Sequence, residues 1–115
     1  MRYRFLNGKQ YQWLTETDQK GEFHFKGYFF YGNNIYRDTK AIEKLRELFL
    51  PLLKTPKKNI QSIKSILIGF RGQFSFAILT PKVCFSAVDR CRNYQIVYHN
   101  DLQNFTLSND AHLLK

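Results

Sequence analysis

Two stretches of the chain place an apolar residue at most alternate positions, and this alternation constrains the fold more than any other feature. The stretches are EFHFKGYFF, residues 22–30, and QFSFAIL, residues 73–79. Because successive side chains of a strand point to opposite faces of a sheet, each stretch is predicted to be a strand with one apolar face. Such a face has to be buried, so the sheet needs a second layer against it.

Two helices are predicted to supply that layer. The segment RDTKAIEKLRELFLPLLK, residues 37–54, is the first, and IQSIKSIL, residues 60–67, is the second. Asp38 or Thr39 is expected to cap the first helix, and Pro51 is expected to kink or end it. The apolar residues that follow helical spacing in the first segment are Ile42, Leu45, Leu48, Phe49 and Leu52.

The remaining segments complete an α+β pattern. RYRFL and YQWL flank the turn signal Asn7-Gly8-Lys9 and are predicted to form a hairpin, followed by a polar turn over residues 15–21. VCFSAV, residues 83–88, is apolar or small on both faces, which predicts a strand covered on both sides. Two more strands are predicted in residues 94–99 and 104–108, with a helix beginning at Ser108 or Asn109.

Size and charge narrow the class of protein. A chain of 115 residues is expected to form one domain, and 18 Lys and Arg against nine Asp and Glu give a net charge of +9. This charge favours nucleic acid, an anionic membrane surface or an acidic protein as a partner, or it serves only to solvate the surface. No apolar run is long enough to span a bilayer, and the N-terminus lacks a signal-peptide core, so a cytoplasmic location is expected.

The side chains that bind metals or act as nucleophiles are scattered. His24, His99 and His112 have no metal-ligand spacing, and Cys84 and Cys91 do not form a Cys-x-x-Cys pair. Both cysteines are expected to stay as thiols in a reducing compartment. The sequence therefore predicts no metal site and no cofactor.

Basic residues near the first helix and the N-terminus are the best candidates for binding an anion or a partner. Most phenylalanines alternate into the predicted core, which removes them from stacking on nucleic-acid bases. The apolar end of the first helix, residues 49–53, is either core or a protein interface. The candidate binding residues are Arg2, Arg4, Lys54, Lys57, Lys58 and Lys64.

Residues 65–115 resemble the N-terminal, glutamine amidotransferase-like domain of the asparagine synthetase family. That family has a glycine, an aromatic-rich strand, a second strand that ends in Asp-Arg, a strand with an aromatic pair, and a Ser-Asp or Ser-Glu that begins a helix. The corresponding features here are Gly72, Phe74-Ser75-Phe76-Ala77, Ala87-Val88-Asp89-Arg90, Tyr98 and Ser108-Asn109-Asp110-Ala111. Residues 27–36 fit the family more loosely.

The resemblance implies a fold of the N-terminal-nucleophile type, with stacked antiparallel sheets flanked by helices, here as one truncated domain over residues 1–115. Active members hydrolyse glutamine with a cysteine at position 2, which attacks the amide. This chain has Arg2, whose guanidinium has no nucleophilic atom. We therefore expect no glutaminase activity, and we expect Asp89 and Arg90 to anchor strand ends.

These expectations lead to one functional hypothesis and two alternatives. In the first, the chain is a non-catalytic subunit that packs on an asparagine-synthetase-like, ATP-using adenylating enzyme in a hetero-oligomer. In the second, it is a basic nucleic-acid-binding module. The third is an amidohydrolase processed to expose Thr15, which would remove the strands before that residue.

Overall fold

A computed structural model describes residues 2–8, 12–89, 96–100 and 104–109. In chain order the elements are β1 (Arg2–Leu6), β2 (Leu14–Asp18), β3 (Gly21–Tyr31), β4 (Asn34–Arg37), α1 (Asp38–Leu53), α2 (Ile60–Ile68), β5 (Arg71–Leu79), β6 (Cys84–Val88), β7 (Val97–Asn100) and β8 (Asn104–Ser108). The α+β class is confirmed: both helices pack on a five-stranded antiparallel sheet, and a smaller sheet accompanies it.

The large sheet is built around the two alternating stretches. β3 and β5 pair antiparallel, with Phe25 opposite Phe76 and Phe23 opposite Ile78. β2 and β4 pair with β3, and β6 pairs with β5. The predicted strands are confirmed, and their alternating phenylalanines form one fully buried face.

The helices cover that face. Ile42, Leu45, Phe49 and Leu53 of α1 and Ile63 of α2 are buried against it. Both predicted helices are confirmed, because one apolar stripe at helical spacing meets one apolar sheet face. α1 continues two residues beyond Pro51, since a proline in the last turn removes little of the hydrogen-bond ladder.

The predicted cap of α1 is wrong. The helix begins at Asp38, the residue before it is Arg37, and no side chain bonds to the free amides of the first turn. Asp38 itself adopts a φ of 54°, in the left-handed region. The extended conformation that a capping residue requires is found at Arg37, with φ −149° and ψ 160°, and its side chain has no oxygen to accept from the first-turn amides. Neither Asp38 nor Thr39 therefore stands at the capping position.

A second sheet of β1, β8 and β7 lies against the other face of the large sheet. β1 pairs parallel with β8, and β7 pairs antiparallel with β8. The second core contains Phe5, Trp13, Ala77, Leu79 and Leu107, which come from both sheets. The predicted N-terminal hairpin is therefore wrong: pairing with β8 places Phe5 opposite Leu107 and buries both, and the local turn signal at Asn7-Gly8 is overridden.

Two assignments of individual strands also change. Thr15–Asp18, predicted as turn, belongs to β2, a polar edge strand that needs only one covered face. The strand covered on both sides is β5 rather than β6, because residues 74–79 are all buried between the helices and the small sheet. β6 is an edge strand and stays partly exposed. The helix predicted from Ser108 onward lies mostly outside the described residues.

Candidate docking surface

The basic residues singled out in the sequence divide between two sides of the molecule. Lys54, Lys57 and Lys58 lie in the connection between α1 and α2, and Lys64 lies in α2; all four are exposed. Arg2 and Arg4 lie on β1, in the small sheet. The two groups therefore belong to the two layers that cover opposite faces of the large sheet.

Arg4 has a local role in the small sheet. Its Nε donates a hydrogen bond to Thr106 Oγ1 over 2.7 Å and so ties β1 to β8. In the connection between the helices, Asn59 Nδ2 donates to the backbone carbonyls of Leu52 and Thr55, each over 3.1 Å. The segment that carries the lysines is therefore held in place by the end of α1.

The residues that carry the family resemblance occupy structural positions around β5. Asp89 is buried, its Oδ2 accepts the amide hydrogen of Phe74 over 2.8 Å, and its own amide donates to the Phe74 carbonyl over 2.9 Å. Gly72 has a φ of 130°, and a Cβ there would lie 2.7 Å from the Tyr28 carbonyl oxygen. Arg90 lies outside the described residues. These contacts fix β5 between its neighbours.

One half of the large sheet carries a surface that the sequence reasoning missed. Phe29 and Tyr36 point toward the helices, so the residues next to them in β3 and β4 point the other way. Cross-strand partners share a face, and the register therefore assembles six residues of three strands. This open face consists of Tyr28, Phe30, Ile35, Arg37, Arg71 and Gln73.

The open face is apolar at its centre and basic around it. The side chains of Phe30 and Ile35, which pair across the β3–β4 hairpin, are 44% and 40% exposed. The rings of Tyr28 and Phe30 stand perpendicular with centroids 6.0 Å apart. Arg37 and Arg71, on the two flanking strands, are exposed. Aromatic residues and arginine are the types enriched at the energetic centres of protein interfaces.

The small sheet leaves this surface open because it covers the other end of the large sheet. Its contacts with β5 are at Ala77 and Leu79, which pair with His24 and Glu22 of β3. Tyr28 and Phe30 lie several residues further along β3. The sequence pattern separates Tyr28 and Phe30 from the phenylalanines of the buried face, but it does not show that the small sheet stops short of them.

A buried histidine connects the two sheets. His24 Nε2 lies 3.2 Å from Glu22 Oε1, and Nδ1 lies 2.9 Å from Thr15 Oγ1. A carboxylate only accepts, so Nε2 carries the proton and Nδ1 accepts from the Thr15 hydroxyl. The ring stacks on Phe5 with centroids 4.1 Å apart. Both nitrogens of the neutral His24 ring therefore have hydrogen-bond partners. His24, together with Glu22 and Thr15, forms a polar link beneath the small sheet.

His24 makes stability depend on pH. Burial lowers the pKa of His24 from its ordinary value of 6.5, although the hydrogen bond and charge of Glu22 oppose this shift. Below pH 6.5 the unfolded chain binds a proton at this position that the folded chain does not, so stability falls as the pH falls from 6.5 to the lowered pKa. We expect urea unfolding to show a larger loss of stability between about pH 7 and about pH 5 for the wild type than for His24→Gln. Equal losses in the two proteins would contradict this.

A network of amide side chains fastens the first strand to the last. Asn7 Oδ1 accepts from the Trp13 amide over 2.9 Å and from Asn109 Nδ2 over 2.8 Å. Asn109 Oδ1 in turn accepts the Gly8 amide. Asn7 thus organises the chain after β1 through its side chain rather than as the start of a tight turn. The Asn7-Gly8 signal indicates the position at which the chain leaves β1, but the tight hairpin turn that it predicts does not form.

Cys84, the cysteine that the described residues include, is poorly suited to act as a nucleophile. Burial raises the pKa of the Cys84 thiol to about 11, and a thiol that remains protonated is a poor nucleophile. Cys91 lies outside the described residues. Within the described ranges, no three His, Cys, Asp or Glu side chains gather closely enough to hold a metal ion. In the same ranges, neither α1 nor α2 has the length and apolar content needed to cross a membrane.

Comparisons with known proteins add no further constraint. Neither the protein-family models, nor the curated proteins, nor the solved structures gave a match to this chain. The fold and the open face therefore carry the functional argument, together with the sequence resemblance described above.

Proposed function

We propose that the chain is a non-catalytic, amidotransferase-like subunit that supports an asparagine-synthetase-like, ATP-using adenylating enzyme. The observation that carries the docking role is the open face. A sheet surface with a half-exposed phenylalanine and isoleucine beside two exposed arginines offers a partner an apolar centre with charged groups around it. The arginines favour a partner surface that carries carboxylates around an apolar pocket.

The layer order supports the amidotransferase-like part of the proposal. The small sheet, the large sheet and the helices are stacked in that order. The alternating strands β3 and β5 therefore lie in the middle layer. The resemblance implies stacked antiparallel sheets flanked by helices of the N-terminal-nucleophile type. The stacking of two sheets supports this part of the proposal, whereas the small sheet is mixed, because β1 pairs parallel with β8, and the helices of the described residues cover one face only. Position 2, where active members of the resembling family have the catalytic cysteine, begins β1 in this chain. Arg2 supplies no nucleophile there.

The first test of the proposal is a glutaminase assay. The purified chain, incubated with glutamine, should release ammonia no faster than a buffer control, because position 2 lacks the attacking sulfur. Thr15→Ala serves as the control for a hydroxyl nucleophile, since Thr15 is exposed and its hydroxyl bonds to His24. Ammonia release that rises with the concentration of the wild-type chain would refute the non-catalytic role, and its loss in Thr15→Ala would identify the nucleophile.

A second candidate function rests on the same surface. Aromatic rings beside arginines on an antiparallel sheet also suit single-stranded nucleic acid, whose bases stack on the rings. Ile35 favours the protein partner, because an aliphatic side chain at the centre of the face offers no stacking platform. Binding to nucleic acid would weaken steeply with salt, with a slope near −0.7 per neutralised phosphate on single strands.

A further inference from the structure

A groove at the opposite end of the large sheet combines an apolar floor with three lysines. It lies between the last turn of α1, the β2–β3 turn and the loop from β5 to β6, and it encloses about 460 Å³. This volume is within the range of small-molecule sites, roughly 300–1,000 Å³. The floor is formed by Leu50, Pro51, Leu53 and Pro81.

The three lysines come from three separate segments. Lys20 lies in the β2–β3 turn, Lys54 follows α1, and Lys82 lies in the loop before β6; all three are exposed at the rim. Segments distant in sequence thus bring three positive charges to one apolar depression. A lysine stem lies along an apolar wall while its ammonium group stays at the rim, which places three donors above the floor.

Two acidic residues, Asp18 and Glu22, lie two positions from Lys20 in sequence, and each has a partner away from the rim. Asp18 Oδ2 pairs with Arg46 over 3.0 Å, and Asp18 Oδ1 accepts the backbone amides of Lys20 and Gly21. In the part of the chain that the structure describes, the ion pairs involve Lys44 and Arg46 and the contact between His24 and Glu22. The charges of the rim lysines are therefore available to a ligand.

We propose that this groove binds a medium-chain aliphatic carboxylate, with the chain on the apolar floor and the carboxylate among Lys20, Lys54 and Lys82. A neutral apolar ligand would leave the three ammonium groups unused, and a small anion such as phosphate would leave the floor exposed to water. An amphipathic anion satisfies both parts of the site. This site is separate from the open face and does not depend on the subunit role.

Titration calorimetry with dodecanoate below its micellar concentration tests the site. Saturable one-to-one binding is expected, and decanoate, two methylenes shorter, should bind about 15-fold more weakly, since each buried methylene contributes about fourfold. The variant with Lys20→Gln, Lys54→Gln and Lys82→Gln should lose at least about tenfold in affinity, because charge-assisted contacts to the carboxylate disappear.

The matched control removes the same number of charges outside the groove. Lys57→Gln, Lys58→Gln and Lys64→Gln together lower the net charge equally, yet they should leave dodecanoate affinity within about twofold, because screened surface charges act weakly at a distance. Equal losses in both triple variants would overturn the site in favour of a general electrostatic effect. No saturable binding of dodecanoate, or equally tight binding of dodecyltrimethylammonium, would also overturn it.

Discussion

Replacing Phe76 with alanine should lower the free energy of unfolding by about 3–5 kcal/mol, the largest stability effect that we expect in this chain. Phe76 is fully buried at the middle of β5. Its ring centroid lies 5.7 Å from that of Phe49 on α1 and 5.7 Å from that of Phe85 on β6. Removal of the ring leaves a cavity between a sheet and a helix that are held by many neighbouring side chains and cannot close it.

Urea unfolding followed by circular dichroism measures this loss, and Phe30→Ala is the matched control. Phe30 is on the neighbouring strand β3 but on the open face, so its truncation should cost less than about 1 kcal/mol. If both substitutions cost the same, the assignment of the two sheet faces is wrong. If Phe76→Ala costs less than about 1 kcal/mol, the aromatic core is not packed as described.

The same Phe30→Ala change should have its main effect on partner binding. We expect it to weaken binding of the partner enzyme by at least about 2 kcal/mol, or about 30-fold, as truncation of an aromatic hot spot does. Surface plasmon resonance with the captured partner measures this change. Ile60→Ala is the control, because Ile60 is 45% exposed at the start of α2, which packs on the opposite face of the large sheet.

The two variants separate a specific surface from general stickiness. Binding that falls with Phe30→Ala and is unchanged by Ile60→Ala places the partner on the open face. Equal affinity of Phe30→Ala and the wild type would remove the open face from the interface, since Phe30 is its most exposed aromatic side chain. Equal losses in both variants would indicate nonspecific apolar association.

Local periodicity predicted the elements whose burial depends on their own sequence. The alternating phenylalanines of β3 and β5 and the apolar stripe of α1 each define one buried face, and both were confirmed. Short-range patterns of this kind are dictated by the geometry of a strand or helix, so no knowledge of distant partners is needed.

Contacts between the ends of the chain could not be predicted in the same way. β1 pairs with β8, about a hundred residues later, and the link depends on Phe5 meeting Leu107 and on Asn7 meeting Asn109. The Asn-Gly signal favoured a local hairpin, and tertiary pairing overrode it. The two ends meet only in the folded chain, so patterns among neighbouring residues do not predict that β1 pairs with β8.

The open face was missed for a related reason. The alternation in β3 groups Phe29 with Phe23 and Phe25 and puts Tyr28 and Phe30 on the second face, but it does not say whether that second face is covered. The placement of the small sheet decides this, and the register of β3 with β4 and β5 brings Arg37 and Arg71 to the same side as Phe30. The candidate residues chosen from charge alone, such as Lys57 and Lys58, belong to a different part of the surface.

Affinity purification of the chain, tagged at Lys115 and expressed in its native cells, tests the subunit role most directly. Wild type, Phe30→Ala and Ile60→Ala are purified with and without nuclease, and co-eluting proteins are identified by mass spectrometry. We predict a stoichiometric adenylating or synthetase-like protein that survives nuclease and is lost only in Phe30→Ala. Recovery of nucleic acid, with protein partners lost after nuclease, would contradict the subunit role and favour the nucleic-acid-binding module.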